Sequence, residues 1–480
     1  LRRAILIAAG ALVVAGGVAA WLALRGPAYD PVLAPTPLGG WSPPWREAPR
    51  PDPEERLPSR WIVVGWDGAG WDLALPLIDA GKMPHLAGLM REGAYGTMAS
   101  FKPTWSPVLW TTVATGVDPS RHGILAWGRV EKGTTRRLFT NRDRRARALW
   151  NLMTAAGRKS LVVGYHNTFP ADRIEGLMVS SFLYHEHLED RMEIRDGAEP
   201  PGEGLAYPPG GLQEILGLQR EVVSSLPAAV GRFAAYAPEE AIEFEAPLTR
   251  TLGTGDERRF FLKKAYLFDT MTGRVAERFY PELRPDLAMI HFQGIDFASH
   301  YFLYFHDPPR FDGMAWPAEE RAALDAATRH YAGTVEAFYL YADEWLGRIL
   351  ALRPPDTGVL LLSDHGFEPE DNVRRTGNHL SAPPGIFVVA APGVRPGRVF
   401  ESATLYDVMP TLAAVLGLPL ARDLRGTPQA AWFTREAWAA LKIERVARYD
   451  PGGRYVPDIP VPDETERELL EQLRAIGYVQ

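Results

Sequence analysis

The chain has 480 residues, 46% of them hydrophobic, enough to bury the core of one large domain or two ordinary ones. Its net charge is −7 with no basic stripe, which argues against a nucleic-acid partner. It has no cysteine, so disulfides and thiolate metal sites are excluded, and any metal must be held by histidine and carboxylate.

Residues 4–24 form an unbroken apolar run of 21 behind Arg2 and Arg3. A run of that length spans a bilayer core of ~30 Å. It exceeds the roughly 7–15 residues of a cleavable signal core, although 18–20 (VAA) offers a small-residue cleavage site. The expectation is a single-pass membrane anchor over 1–25. The arginine pair would stay in the cytoplasm and the catalytic domain would lie outside it, periplasmic or extracellular. Residues 26–59 hold ten prolines and read as a linker, either a semi-rigid spacer or a strap across the domain with Trp41 and Trp45 as anchors.

From residue 60 the pattern alternates strand and helix. The runs 61–66, 160–165, 287–292, 358–363 and 385–390 are apolar on both faces. They predict an α/β fold with a mostly parallel central sheet covered by helices. Helices are predicted over 84–92, 144–156, 321–352 and 405–416. Residues 200–283 break the rhythm with glycine and proline clusters, then a helical pattern over 258–277, and read as an insertion or cap beside the site. The catalytic domain is thereby divided into 60–199 and 284–440. A tail over 441–480 ends in a helix that starts near Asp463, is boxed by Glu466 and stops at Gly477.

Ligands bind an open parallel sheet beyond the carboxyl ends of its strands. Asp67, Asp296 and the pair Asp364-His365 fall at such ends. Adjacent strand residues point to opposite faces, so Asp364 and His365 can share a ligand only in a loop, with Gly366 allowing the turn. Asp296 and His300 are four apart, on one face of a helical turn. His379 follows Gly377-Asn378 in a loop, and Ser106 opens a helix predicted over 107–115, whose first amides would favour an anion. Taken singly, Ser106 before Pro107 is a good N-cap and Asp296/His300 an ordinary helix pair. Together these residues make the donor set of two close divalent metals. One metal would take Asp67, Asp364, His365 and the Ser106 oxygen. The other would take Asp296, His300 and His379, with a position left open. Zn²⁺ suits such sites best, with Mn²⁺ and Fe as alternatives. Two metals about 4 Å apart clamp both oxygens of an in-line displacement at phosphorus. Ser106 is then the nucleophile and a phosphoseryl ester the intermediate. His122 reads as structural. The other histidines read as packed or solvent-facing, with His166 and His291 set apart from them by lying near strand ends.

The order and spacing of these motifs resemble the alkaline phosphatase superfamily, most closely its type I phosphodiesterase and nucleotide pyrophosphatase branch. The resemblance covers about 60–426. It rests on Asp67-Gly68, on Pro103-Thr104-Trp105-Ser106 nine residues before Thr115-Gly116, and on Pro119-x-x-His122-Gly123-Ile124. Asp296, His300, Asp364, His365, His379 and the segment 407–419 follow in the family's order. It implies an α/β/α sandwich with two zinc ions that hydrolyses phosphoric esters.

Three departures qualify it. The nucleotide pyrophosphatases carry a phosphate-binding Asn three residues after the nucleophile, where this chain has Leu109. Formylglycine sulfatases need Pro and Arg where this chain has Val108 and Trp110. No arginine stands at the phosphate-clamping place of the monoesterases. Trp66, Trp71, Trp105 and Trp110 crowd the metal loops, so Trp105, Leu109 and Trp110 are candidate substrate-binding residues, an apolar wall for a bulky, lipid-like or envelope-derived ester. The expected function is a membrane-anchored phosphodiesterase. The alternatives are a phosphoryl transferase, a phosphomonoesterase and a non-catalytic binding protein on the same scaffold. The sequence sets no oligomeric state.

Overall fold

The computed structural model describes residues 29, 31–32, 38, 41–44, 56–131, 134–181, 204–236, 241, 256–450, 452 and 454–459. The apolar run 4–24, Trp45 and the helix expected from Asp463 lie outside them. Among the described residues no helix is long and apolar enough to cross a membrane.

Strand β1 (Arg60–Trp66) shows how the core is made. Ile62, Val64 and Trp66 join one buried cluster, and Trp61 and Val63 join another on the opposite face. Side chains that alternate across a strand need a cover on both sides. The other main strands are β2 (Ala94–Phe101), β3 (Ser160–Val163), β4 (Gly176–Val179), β5 (Leu287–Phe292), β6 (Thr357–Leu362), β7 (Gly385–Ala390) and β8 (Val399–Thr404). They lie in the order β2-β7-β6-β1-β5-β3-β4, with β8 beside β2 and the short strands Pro31–Val32 and Ala206–Tyr207 at the edges.

Strands β6, β1, β5, β3 and β4 are parallel, as the apolar runs predict. Strand β7 is antiparallel to both its neighbours, so the sheet is mixed. An apolar run reports burial on both faces and is silent on direction. Strand β2 escaped the sequence reading because Gly96, Thr97 and Ser100 interrupt its apolar pattern, yet all its residues are buried.

The main helices are α1 (Trp71–Asp79), α2 (Pro84–Glu92), α3 (Ser106–Thr115), α4 (Leu149–Ala155), α5 (Leu212–Ala229), α6 (Asp256–Leu283), α7 (Gly294–His306), α8 (Ala318–Tyr331), α9 (Thr334–Leu352) and α10 (Leu405–Val415). Helices α3, α4 and α10 cover one face of the sheet, and the remainder pack toward the other. The predicted helix 321–352 is two, α8 and α9, broken at Ala332 and Gly333, where glycine disfavours continuation. The helix predicted over 144–156 begins only at Leu149. Arg144 is drawn off to a buried ion pair with Asp172. Helix α6 is more than an insertion, because Phe268, Met271 and Val275 belong to the core.

Part of the linker is a strap. Pro31–Val32 pairs with β2, and the Tyr406 hydroxyl donates to the Tyr29 carbonyl at 2.9 Å. Trp41 Nε1 donates to Asp79 Oδ1 at 3.1 Å, with its ring edge-on to Tyr95.

Candidate active site

Asp67 leaves the end of β1, and Gly68 turns the chain with φ +76°. A side chain at Gly68 would be strained there and would strike Phe367. The turn 363–366 after β6 is held without a left-handed residue. Ser363 Oγ donates to the His365 carbonyl, and the Gly366 amide donates to the Pro383 carbonyl. The Gly68 amide donates to Asp364 Oδ1 at 3.3 Å, which ties the two loops together.

Ser106 is the first residue of α3, and no side chain caps that helix. Its hydroxyl is turned inward, 3.3 Å from Asp67 Oδ1 and 3.4 Å from His365 Nε2. The N-cap reading of Ser106 is thereby set aside. The expected anion site on the first amides of α3 is weakened, because the Val108 and Leu109 amides both donate to the Trp105 carbonyl.

Helix α7 is started from outside. Asp269 on α6 accepts the Gln293 and Gly294 amides at 2.9 and 2.8 Å. One turn on, Asp296 and His300 share a face, with His300 Nε2 3.4 Å from Asp296 Oδ1. His300 Nδ1 lies 2.8 Å from the Gly377 carbonyl and 3.0 Å from Arg375 Nε, and His365 Nδ1 lies 3.1 Å from the Gly366 carbonyl. His379 Nδ1 lies 3.4 Å from Thr104 Oγ1, and its ring stacks on His365 at 4.0 Å. Backbone and hydroxyl oxygens engage Nδ1 of His365 and His379 and leave Nε2 to the site, as metal-ligating histidines require, while Nε2 of His300 faces Asp296 with Arg375 Nη2 2.9 Å away.

All seven expected donors converge. Donor atoms of Asp67, Asp364 and His365 lie within 4.8 Å of one another, as do those of Asp296, His365 and His379. His365 therefore sits between both groups, where the sequence reading gave it to one. Asp67 Oδ1, Ser106 Oγ, His365 Nε2 and Asp364 Oδ2 stand 3.3–3.5 Å from their neighbours in the set. Bonds of ~2.0–2.1 Å to one ion give tetrahedral edges of about 3.3 Å. Asp296 Oδ1 and Asp364 Oδ2 are buried with no hydrogen-bond donor among the described residues, so the set fits a cation.

The electrostatics agree. Burial holds Asp296 and Asp364 well above the usual carboxylate range, and the charge on Asp67 raises both further. Burial acts on Asp67 in the same direction, but the imidazoles of His166, His291 and His365 around it hold it well below that range. Burial also pushes His365, His379 and His300 down, with Arg375 lowering His300 further. Neutral imidazoles beside crowded carboxylates are ready to take a metal.

Four residues outside the seven expected donors join the site. His166 and His291 flank Asp67 Oδ2 at 3.2 and 3.4 Å. Lys264 and Arg375 line a cavity of about 240 Å³ over Ser106, Asp296, His300 and His379. They supply the cationic wall for which the sequence offered no arginine. The proximity of His166 and His291 to the ends of β3 and β5 was the readable signal.

The expected tryptophan wall is corrected. Leu109 and Trp110 are fully buried in the core, and Trp110 Nε1 donates to Asp67 Oδ2 at 3.1 Å. Trp105 packs half-buried against the same core cluster. The apolar wall of the cavity comes from Trp127, Phe261, Phe297 and Tyr301. A larger cleft of about 530 Å³ lies past the other end of α3, and none of the seven donors lines it. His122 holds its own loop. It accepts the Ile124 amide at Nδ1, and its Nε2 lies 3.0 Å from Thr112 Oγ1.

Residues 61–410 match the model of the type I phosphodiesterase / nucleotide pyrophosphatase family. The chain belongs to that family. It is a hydrolase of phosphoric esters, in a family for which metal dependence is typical. A search of curated proteins returns no match. Among solved structures, a variant of the alkaline phosphatase PafA is 11% identical at a TM-score of 0.48, over 79% of this chain and 99% of that one. Human ectonucleotide pyrophosphatase / phosphodiesterase 5 is 11% identical at 0.40, over 80% and 100%. A putative sulfatase from Bacteroides thetaiotaomicron is 13% identical at 0.42, over 78% and 74%.

Proposed function

We propose that the protein is a zinc-dependent phosphodiesterase that attacks through Ser106 and acts at a membrane surface on esters with a bulky apolar group. The observation that carries this is the hydroxyl of Ser106, turned away from its own helix onto Asp67 and His365 beneath a cavity rimmed by Asp296, His300 and His379. Bound zinc would supply a lowered hydroxyl pKa at Ser106 and charge neutralisation at the phosphoryl oxygens. Asp67 Oδ1 is placed to accept the hydroxyl proton's hydrogen bond and to orient the oxygen. His300 and His379 wall the far side, where the leaving group or water would enter. The aromatic wall offers apolar contact to the ester substituent, with Phe261 and Tyr301 stacked at 3.6 Å. The apolar run 4–24 supports anchoring outside the cytoplasm.

A second reading is favoured by Lys264 and Arg375. Two cations on one cavity wall suit the dianionic phosphate of a monoester, or of a phosphoseryl enzyme that passes its group to an acceptor other than water. The test is kcat/KM of the zinc-loaded full chain on bis-(p-nitrophenyl) phosphate and p-nitrophenyl phosphate. Preference for the diester supports the first reading, and preference for the monoester moves the protein to the second. Ser106→Ala should abolish turnover of both with unchanged circular dichroism. Turnover at the wild-type rate would remove Ser106 as the nucleophile.

A further inference from the structure

Asp67 faces two ways. Oδ1 looks toward Ser106 and His365, while Oδ2 looks toward His166, His291 and Trp110. Trp110 Nε1 takes one lone pair of Oδ2 and leaves the second.

His291 is completely buried, and its Nδ1 lies 3.2 Å from the Gly164 carbonyl, the nearer of its two contacts, with Gln293 Nε2 at 3.5 Å. A proton on Nδ1 satisfies that carbonyl and leaves Nε2 with a bare lone pair. That nitrogen has no hydrogen-bond partner among the described residues, although it stands 3.4 Å from Asp67 Oδ2. A lone pair set against a carboxylate is repulsive unless a positive centre lies between them. His166 brings a second Nε2 to 3.2 Å from the same oxygen, and the three donor atoms lie within 4.8 Å of one another.

These separations match the edge of about 3.3 Å that bonds of ~2.0–2.1 Å give around a tetrahedral ion. The ring of His291 is held in place by Trp110, with centroids 4.3 Å apart, and by the missing side chain of Gly65, where a Cβ would come within 2.8 Å of it. His166 lines the cavity, so a fourth position opens to solvent or substrate.

We propose that Asp67, His166 and His291 form a further cation site, bridged through Asp67 to the donor set around Ser106. Two imidazoles and one carboxylate select a borderline divalent ion such as Zn²⁺ over Mg²⁺, which prefers oxygen. The site rests on the two-metal reading only in sharing Asp67.

The experiment counts zinc per folded chain. Full-length protein is stripped with chelator, reloaded with Zn²⁺ alone, desalted and assayed by mass spectrometry, with circular dichroism on every variant. His166→Ala and His291→Gln should each bind one equivalent fewer than wild type. His379→Ala should lose a different equivalent, so the His166→Ala/His379→Ala double variant should lose two. His166→Ala lies on the cavity wall and carries the test should His291→Gln fail to fold. Wild-type zinc content in both His166→Ala and His291→Gln overturns the site. Loss in those two with none in His379→Ala upholds it and removes instead the ligand set assigned around His379.

Discussion

Lys264 and Arg375 decide how much phosphate charge the cavity can hold. Lys264 is buried on α6, with its ammonium 4.8 Å from the ring of Phe297. Arg375 lies against His300, with Nη2 2.9 Å from Nε2. A cation that meets a dianion should matter more than one that meets a monoanion. Lys264→Ala should lower kcat/KM for p-nitrophenyl phosphate by ~10–100-fold, the equivalent of about 1.5–3 kcal/mol. The loss for bis-(p-nitrophenyl) phosphate should be smaller, and equal losses would remove the charge argument. His122 makes a different prediction. Burial, with Arg144 nearby, lowers its pKa from 6.5 to about 3. The unfolded chain takes up a proton as pH falls through 6.5, and the folded chain does so only near 3. Its contribution is therefore complete above 6.5 and is lost toward 3, at up to ~1.4 kcal/mol per pH unit. His122→Asn should flatten that slope in urea midpoints measured across the window. Asp67, Ser106, Asp364 and His365 were legible because each sits beside a strand end or a helix start that the local pattern marks. His291, one residue from the end of β5, had only that position to mark it, and Lys264, on a long helix, carries no such mark. They become neighbours of Asp67 and Ser106 only once β5 lies beside β1 and α6 crosses the sheet.

At the scale of elements, the site depends on how α7 begins. Its first amides have no capping side chain of their own, and Asp269 on α6 accepts two of them. Burial raises Asp269 to about 7, while those amides pull it down. Asp269→Ala would leave two buried donors unmet, at about 1–3 kcal/mol each. It should lower the urea midpoint and cut kcat more than KM, since α7 carries Asp296 and His300 but no cavity cation. An effect on stability alone would detach Asp269 from positioning. Helix identities were legible where apolar spacing is regular, as in α2. The split between α8 and α9 was not, because the apolar pattern runs through Gly333 and the break is fixed from outside by the Thr334 hydroxyl donating to the Phe233 carbonyl. The direction of β7 was hidden for a related reason, since burial on both faces looks the same in either orientation.

For the whole molecule, three buried carboxylates converge where strands β1 and β6 and helix α7 meet, and a cation would relieve their mutual repulsion. Chelation should therefore lower the melting temperature as well as abolish turnover. Ligation at a hundredfold excess over Kd adds about 2.7 kcal/mol per site. An unchanged melting temperature after complete metal removal would mean that the folded chain tolerates the bare carboxylates. The strap has a mechanical consequence. On the proposed anchoring, a span that ends at Leu24 leaves four residues before Tyr29, which is fastened to α10 through Tyr406. Four residues reach at most about 14 Å. The catalytic body would then be a short-leashed one, meeting molecules presented by the lipid surface at high effective concentration and those in bulk solution at no advantage.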